Sequence, residues 1–267
     1  MESAPVLSFD GVSLSFDETP ALRNVSFSVG SGESLIVLGA ASSGKTTLLK
    51  VALGLLRPDS GSVHLFGQDV TALDETDWYD VRSRIGVLFQ EGGLFDSLTI
   101  EENVSYPFRY QRLLQLPEEE IAPRVQQSLE FVELGHTLEK FPSELSGGMR
   151  RRVGIARAIV TQPQLMLYDS PTAGLDPITA NNIVALIVKG RDLRHATTLM
   201  ITHRAQDGEI MAGYRFDPQS QKLAPSRNGE RVSTRYIVLR EGEVVFDGSP
   251  ADFAASRDPY VVRFGMR

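Results

Sequence analysis

A short glycine-rich stretch limits the possible folds more than any other feature of this 267-residue sequence. The run GAASSGKTT occupies residues 39–47, directly after the unbroken apolar run LIVL at 35–38 and at the start of KTTLLKVALGLL. A short apolar run that ends at glycine is typical of a strand covered on both faces. Successive N–H groups of such a loop, together with the N-terminus of the helix behind it, bind phosphate. The sequence therefore predicts a strand, a phosphate-binding loop and a helix in succession.

Two side chains of this loop carry chemistry beyond that of the backbone. Lys45 places a positive charge beside a bound phosphate, and the hydroxyl of Thr46 is a suitable magnesium ligand. We expect contacts with a nucleotide along the whole stretch, from Gly39, Ala40, Ala41, Ser42, Ser43, Gly44, Lys45, Thr46 and Thr47. The alternative is a glycine- and serine-containing turn that only precedes a core helix.

A second candidate anion site lies at residues 145–158, LSGGMRRRVGIARA. Ser146, Gly147 and Gly148 open a predicted helix, so N–H groups and the positive end of its dipole are presented to an anion. The arginines at 150–152 stand where this dipole disfavours cations, which indicates that they have partners. Arg150 taken alone is also compatible with a solvated basic face.

The composition excludes several classes of function. A net charge of -7 and a pI near 5.2 provide no basic surface for nucleic acid or for anionic lipid headgroups. The absence of cysteine excludes disulfides and thiolate metal sites. No signal sequence and no apolar run of about 18 residues is evident, so we expect a cytoplasmic protein whose membrane role depends on a partner.

The remaining pattern predicts a mixed α/β protein. Apolar and polar residues alternate at 12–16 and 25–29, as in half-exposed strands of an antiparallel layer. The unbroken run LMLY at 165–168 predicts a second strand covered on both faces. Between them lies a mainly helical region, in which one helix begins near Pro117.

Near the end of the chain, residues 236–239 and 244–246 flank a turn at 241–242 and predict a hairpin. The polar segment 213–234 that precedes it predicts a surface insertion. Such an insertion is either inert elaboration or a contact for a regulator or a permease.

With both glycine-containing motifs in place, the sequence resembles the nucleotide-binding subunits of ATP-binding cassette (ABC) transporters over nearly its whole length. The resemblance implies an α/β fold with a P-loop NTPase (RecA-like) core, an antiparallel β subdomain and a helical signature subdomain. It implies one domain spanning 1–267, with the core and β subdomain at about 1–90 and 161–267 and the helical subdomain at about 91–160. It also implies ATP and Mg²⁺ as cofactors and a homodimer in which each LSGG loop closes on ATP held by the other subunit.

The resemblance assigns further roles residue by residue. Phe16 corresponds to an aromatic that stacks on adenine, although it is equally compatible with a strand core. Gln90 corresponds to the glutamine that senses magnesium and couples to the membrane subunit, Asp169 to the magnesium-organising carboxylate and His203 to the histidine that contacts the γ-phosphate. Asp176 corresponds to a loop that contacts the opposite subunit. The implied magnesium ligands are Thr46, Gln90 and Asp169.

One position departs from the family pattern. Ser170 stands where a glutamate usually polarises the attacking water, and a serine hydroxyl is a poor base at neutral pH. Two hypotheses follow: an ATPase in which Glu91 or Asp176 orients the water, or an ATP-dependent clamp that switches a partner with little turnover. A soluble ABC protein of DNA repair or translation is disfavoured by the acidic charge and the single cassette.

One residue and three segments are similar to the ATPase subunits of the Mla/MCE phospholipid transport systems. The residue is Met149, and the segments are LFDSLTIEENVSYP at 94–107, GLDPIT at 174–179 and DPYVVRF at 258–264. This similarity implies a multispanning permease and an MCE-domain lipid carrier as partners. It implies a location at the cytoplasmic face of the bacterial inner membrane, peripheral through the permease and without direct lipid contact.

Overall fold

The computed structural model describes residues 4–111, 114, 116–226 and 233–265. Its strands are β1 (Leu7–Phe16), β2 (Thr19–Val29), β3 (Ser34–Gly39), β4 (Ser60–Leu65), β5 (Gln68–Asp69), β6 (Ile85–Leu88), β7 (Leu165–Asp169), β8 (Thr197–Ile201), β9 (Tyr214–Asp217), β10 (Lys222–Pro225), β11 (Thr234–Arg240) and β12 (Glu243–Gly248). Its α-helices are α1 (Lys45–Ala52), α2 (Glu75–Ser83), α3 (Ile100–Tyr110), α4 (Glu118–Phe131), α5 (Gly147–Ile159), α6 (Pro177–Arg194), α7 (Ala205–Gly213), α8 (Pro250–Ala255) and α9 (Pro259–Val262).

A six-stranded sheet in the order β12-β11-β3-β8-β7-β6 forms the centre of the molecule. All neighbouring pairs are parallel except β12, which is antiparallel to β11. The two unbroken apolar runs are β3 and β7, as predicted, and both strands are buried along their whole length. Because ligands bind at the carboxyl ends of parallel strands, the loops after β3, β6, β7 and β8 form the candidate site.

Strand β3 shows why these runs contain no polar residues. Leu35 and Val37 pack into one core with α1, α2 and a second sheet, whereas Ile36 and Leu38 pack into another core with α3, α4, α5 and α6. Since successive side chains of a strand point to opposite faces, a run that is apolar at every position fills both cores.

The second sheet is antiparallel, with the order β2-β1-β4-β5. It contains both segments that the alternating pattern predicted, and the rings of Phe9 and Phe27, which are register partners, stack with centroids 4.8 Å apart. The end of β2 near Ala21 approaches the phosphate-binding loop, because the Ala21 carbonyl lies beside Gly44.

Between the two apolar runs, the second half is helical and contains α3, α4 and α5, whereas the first half also contains the strands β4, β5 and β6, which the sequence did not indicate. Helix α3 begins with a capping box in which Thr99 and Glu102 bond to each other's backbone N–H. Helix α4 begins at Glu118 with Pro117 at its N-cap and buries Ile121 and Val125. No helix among the described residues is long and apolar enough to span a membrane.

The predicted surface insertion contains secondary structure that the sequence did not indicate. Strands β9 and β10 form an antiparallel hairpin, and residues 227–232 lie outside the described residues. The hairpin is attached to α6: the Arg191 guanidinium donates to the carbonyls of Met211 and Tyr214, and Asp192 accepts from the Phe216 N–H at 2.7 Å. The predicted terminal hairpin is confirmed as β11 and β12.

Candidate nucleotide-binding site

The conformation of the phosphate loop explains its two outer glycines. A Cβ atom on Gly39 would lie 2.4 Å from the Ser43 Oγ and 2.5 Å from the Leu239 carbonyl oxygen. Gly44 has a φ of 103°, and a Cβ there would lie 2.5 Å from the Ala21 carbonyl oxygen. Only glycine fits these close approaches, and they keep the backbone N–H groups of the loop at the N-terminus of α1.

Lys45 folds back over this loop. Its Nζ donates to the carbonyls of Gly39 at 2.9 Å and Ala40 at 2.6 Å, and to the Ser43 Oγ at 3.3 Å. Burial lowers the pKa of Lys45, and the charge of Asp169 opposes that shift. The Lys45 ammonium is therefore held by backbone carbonyls within electrostatic reach of the carboxylate at the end of β7.

Asp169 and Ser170 form the junction between β7 and the following loop. Asp169 is buried, and Ser170 has a left-handed backbone with φ of 48°, a conformation that costs a non-glycine residue about 1 to 2 kcal/mol. The Ser170 hydroxyl donates to the Asp169 Oδ1 at 3.1 Å. The serine is thus bonded to the carboxylate that the resemblance assigns to magnesium.

A buried arginine of α5 fixes the loop after β7. Arg151 donates to the carbonyl oxygens of Ser170 at 3.3 Å, Pro171 at 3.4 Å and Ala173 at 2.9 Å. Burial lowers the pKa of Arg151, and the charge of Glu91 opposes that shift. Glu91 therefore lies within electrostatic reach of Arg151. The expected arginine partners are therefore groups of the same chain.

The other two arginines of this run show the same pattern. Arg152 pairs with Glu133 at 2.8 Å. Arg150 donates to the Leu145 carbonyl at 2.6 Å, so it has a partner in the same chain, and part of its side chain remains exposed.

A buried carboxylate that sequence reasoning missed joins the loops after β7 and β8. Asp207 is fully buried, and its Oδ2 accepts from the hydroxyls of Thr172 and Thr202, both at 2.6 Å. His203, the predicted γ-phosphate ligand, follows Thr202 directly and is exposed. The network holds the His203 loop against the loop that carries Ser170.

Gln90 and Glu91 are both exposed at the end of β6. They line a pocket together with Gly147 at the start of α5 and Gly174 in the loop after β7. The structure therefore brings Gln90, the predicted magnesium-sensing glutamine, close to the first turn of α5.

Asp176 has a clear local role, since it is the N-cap of α6. Its Oδ1 accepts from the N–H groups of Ile178 at 3.1 Å and Thr179 at 3.0 Å. Hydrogen bonds from the Thr179 side chain and backbone lower the pKa of Asp176. This carboxylate therefore has a structural function whether or not it contacts a second subunit.

The remaining predicted residues lie at exposed edges. Phe16 ends β1 and is 48% exposed, so the strand-core interpretation is wrong. Ser146 is the exposed N-cap of α5 and accepts from the Met149 N–H at 3.3 Å. A Cβ on Gly148 would lie 2.6 Å from Thr179 Cγ2, which explains why this position is glycine.

The parallel sheet and the loop after β3 define a P-loop nucleotide-binding protein, in which Lys45 begins the helix after that loop, Asp169 ends β7 and His203 follows β8. The sequence profile described as ABC transporter matches residues 22–173. The chain belongs to the ABC transporter family.

The curated relatives are ATP-binding proteins of transporters. One is the methionine import ATP-binding protein MetN of Brucella abortus (strain 2308), 39% identical over 201 residues, covering 75% of this chain and 54% of the relative. Another is the probable ribonucleotide transport ATP-binding protein mkl of Mycobacterium leprae (strain TN), 38% identical over 193 residues, covering 72% and 55%. The chain thus spans little more than half the length of the curated relatives it matches.

Two solved structures are similar over almost the whole chain. A dimeric ATP-binding cassette in a post-hydrolysis state, bound to ADP and Pi, has a TM-score of 0.75 at 29% identity and covers 91% of this chain and 98% of that one. The cbiO1 protein of Clostridium perfringens, described as part of the ABC transporter complex cbiONQ, has a TM-score of 0.79 at 26% identity, covering 98% and 94%.

Proposed function

We propose that this chain is the ATP-binding and hydrolysing subunit of a bacterial membrane ABC transporter. The observation that carries the proposal is the position of Lys45, whose ammonium is bonded to the phosphate loop within electrostatic reach of Asp169 at the end of β7. Magnesium-dependent ATP turnover by the purified chain, measured with and without its permease, tests the proposal. Absence of both nucleotide binding and turnover under either condition would contradict it.

The side chains of the site fit magnesium-ATP. Among the described residues, no cluster of three or more histidine or acidic side chains is suited to hold a metal. Mg²⁺ in nucleotide enzymes typically takes one or two protein oxygens and completes its shell with phosphate oxygens and water. The Thr46 hydroxyl and the Asp169 carboxylate supply such oxygens, and Gln90 is the third expected ligand. Bound there, the ion would neutralise charge on the phosphates.

For the reaction, the chain supplies positioning and charge. The amides of the phosphate loop and the α1 N-terminus bind the phosphates, and Lys45 adds a fixed positive charge. Arg151 and Asp207 hold the loops of Ser170 and His203 in place through the contacts described above. Much of the catalysis of phosphoryl transfer depends on such preorganised electrostatics.

We further propose that ATP joins two copies of the chain through Ser146. This residue is exposed at the positive end of α5, and the similar cassette with ADP and Pi is described as dimeric. Closing a second subunit over ATP would satisfy the open N–H groups of that helix end.

The variant Ser146→Arg is expected to block dimerisation driven by magnesium-ATP, because an unpaired arginine buried in the interface costs about 3 to 5 kcal/mol. Size-exclusion chromatography with magnesium-ATP measures the effect. Ser143→Arg is the matched control, since Ser143 is also exposed just before the same helix. A dimer formed by Ser146→Arg as readily as by the control would refute this interface.

The permease is expected to dock on an apolar groove beside the nucleotide site. The groove is lined by apolar and aromatic side chains, among them Leu55, Phe89, Phe95, Tyr106 and Pro107. The rings of Phe95 and Tyr106 lie 4.5 Å apart, yet Phe95 remains 41% exposed. Asn103 holds the Phe95 segment, because its Oδ1 accepts from the Phe95 N–H at 2.8 Å and its Nδ2 donates to the Phe95 carbonyl at 3.0 Å. This fixed, exposed aromatic surface suits an apolar helix of a membrane partner.

Phe95→Asp is expected to release the permease, because an aspartate would meet the apolar partner helix and the loss of a central aromatic contact typically costs about 2 kcal/mol or more. Co-purification of the complex measures the loss. Phe141→Asp is the matched control, because Phe141 is also 41% exposed and lies outside this groove. Equal permease recovery with both variants would refute the docking site.

We propose phospholipid as the transported substrate, with an MCE-domain protein as a further partner and the cytoplasmic face of the inner membrane as the location. Support comes from Met149 and the segments 94–107, 174–179 and 258–264, which resemble the Mla/MCE ATPases. The names of the curated relatives suggest methionine or ribonucleotide transport as the rival. Co-purification with an MCE-type carrier supports the lipid substrate, whereas recovery of a permease for methionine or another polar solute would exclude it and leave the ATPase proposal intact.

A second candidate function is an ATP-dependent dimerisation switch that regulates a membrane partner with little turnover. The observation that favours it is the bond from the Ser170 hydroxyl to Asp169, at the position where a catalytic carboxylate is expected.

A further inference from the structure

The C-terminal helix α9 makes a direct contact with the phosphate loop. The Tyr260 hydroxyl accepts a hydrogen bond from the Ala40 N–H at 3.1 Å and donates one to the Leu239 carbonyl at 3.0 Å. One hydroxyl therefore joins three parts of the chain that are far apart in sequence: α9, the end of β11 and the first peptide after β3. These two bonds use both the donor and an acceptor position of the phenol.

The position of Tyr260 is itself well determined. Asp258 caps α9 by accepting from the N–H groups of Tyr260 at 2.7 Å and Val261 at 3.3 Å. Val261 is 1% exposed and anchors the helix in the core, and the Phe264 ring packs edge-on against the Tyr260 ring at 5.2 Å. The tyrosine therefore reaches the loop from a helix that is fixed independently of the loop.

The contact bears on Lys45, since both act on the same residue of the loop. Tyr260 binds the Ala40 N–H, whereas the Lys45 ammonium binds the Ala40 carbonyl at 2.6 Å. The Leu239 carbonyl, to which Tyr260 donates, is also one of the atoms that keep Gly39 free of a side chain. Releasing the Ala40 N–H would allow the start of the loop to shift and would move the carbonyls that hold Lys45.

We infer that Tyr260 is a positioning residue of the nucleotide site, which holds the first part of the phosphate loop in the conformation that binds phosphate. The inference rests on the proposed ATP-binding function and extends it to a helix outside the segment 22–173 that the family profile matches. Both hydrogen bonds of the Tyr260 hydroxyl go to backbone atoms, those of Ala40 and Leu239, so it acts on the phosphate loop and not directly on Asp169 or His203. Its loss should therefore weaken nucleotide affinity more than turnover at saturating ATP.

The test removes one oxygen atom, with Tyr260→Phe. Affinity for magnesium-ATP, measured by isothermal titration calorimetry, is expected to fall about 2- to 10-fold, the usual range for one hydrogen bond. The KM for ATP should rise by a similar factor, with kcat within about 2-fold of the parent. Exchange of the Ala40 amide proton, followed by NMR, should accelerate because its bonding partner is lost.

Tyr79→Phe is the matched control, because Tyr79 is 50% exposed on α2. Lys45→Ala provides the reference for lost phosphate binding. If the parent fails to bind magnesium-ATP, the proposed function itself is wrong. If the parent binds and Tyr260→Phe binds equally well, only the role of Tyr260 is refuted. A lowered unfolding temperature with unchanged affinity also refutes it, because the hydroxyl would then serve only folding.

Discussion

Lys45→Ala is expected to weaken the binding of magnesium-ATP strongly while leaving the fold intact. The Lys45 ammonium is bonded to the loop carbonyls of Gly39 and Ala40, so it is already held beside the place that the phosphates would occupy. A charge-assisted contact of this kind typically contributes about 1.5 to 3 kcal/mol, which corresponds to a roughly 10- to 150-fold loss of affinity. The residue is half-buried at the start of α1 and is not part of either hydrophobic core, so unfolding is not expected.

Calorimetric titration with magnesium-ATP measures this loss, and thermal unfolding verifies the fold. Lys50→Ala is the matched control, since Lys50 is an exposed lysine in the last turn of the same helix. The control removes the same net charge from the chain but none from the loop. Nucleotide affinity that is unchanged in Lys45→Ala would refute the phosphate-loop assignment.

The parts of the fold that the sequence predicts are those determined by local pattern. The run LIVL followed by GAASSGKTT identifies β3 and its loop because alternate side chains of the run fill two cores and because close backbone approaches require glycine. The predicted residues Asp169, which ends β7, and His203, which follows β8, then lie at the same edge of the sheet, because β7 and β8 are parallel and adjacent. Chemistry at the strand ends is thus predictable from strand pattern and motif spacing.

The groups that hold these loops in place were not predictable, since each depends on contacts between distant residues. Asp207 appears as an ordinary polar residue of a short helix, yet it is fully buried between Thr172 and Thr202. Tyr260 lies 220 residues from Ala40 in sequence, and only the packing of α9 brings them together. The β9–β10 hairpin was missed for the same reason: Arg191 and Asp192 of α6 supply the bonds that attach it.

Ser170→Glu is expected to increase ATP turnover about 10²- to 10⁴-fold if the chain is a slow clamp, because this is the usual contribution of a positioned general base. The Ser170 hydroxyl donates to Asp169, so in this arrangement its proton is directed at a carboxylate and away from a water molecule. The other groups of the site remain: Lys45 lies within electrostatic reach of Asp169, and Arg151 fixes the loop after β7. Such a site binds and polarises the γ-phosphate even when water activation is weak.

Steady-state turnover with magnesium-ATP measures the change, and Ser170→Gln is the matched control. Glutamine has the size of glutamate and meets the same left-handed backbone at position 170, yet it provides no base. A rise with glutamate and none with glutamine would attribute the effect to the carboxylate. An equal rise with both would indicate that removal of the bond to Asp169 is the cause, and would contradict the missing-base explanation.

If another residue of the chain activates the water, the parent already turns over at a normal rate and Ser170→Glu changes it little. Glu91→Gln should then stop turnover, since Glu91 lies within electrostatic reach of Arg151, which holds the Ser170 carbonyl. Asp176→Asn is the second variant, and it is informative because asparagine preserves the N-cap of α6 while removing the charge. Loss of activity in Asp176→Asn would therefore reflect the carboxylate and not the helix end. A fully active parent that retains its turnover in both variants would contradict the clamp and the substitute base alike, and the base would then have to come from a group outside these loops.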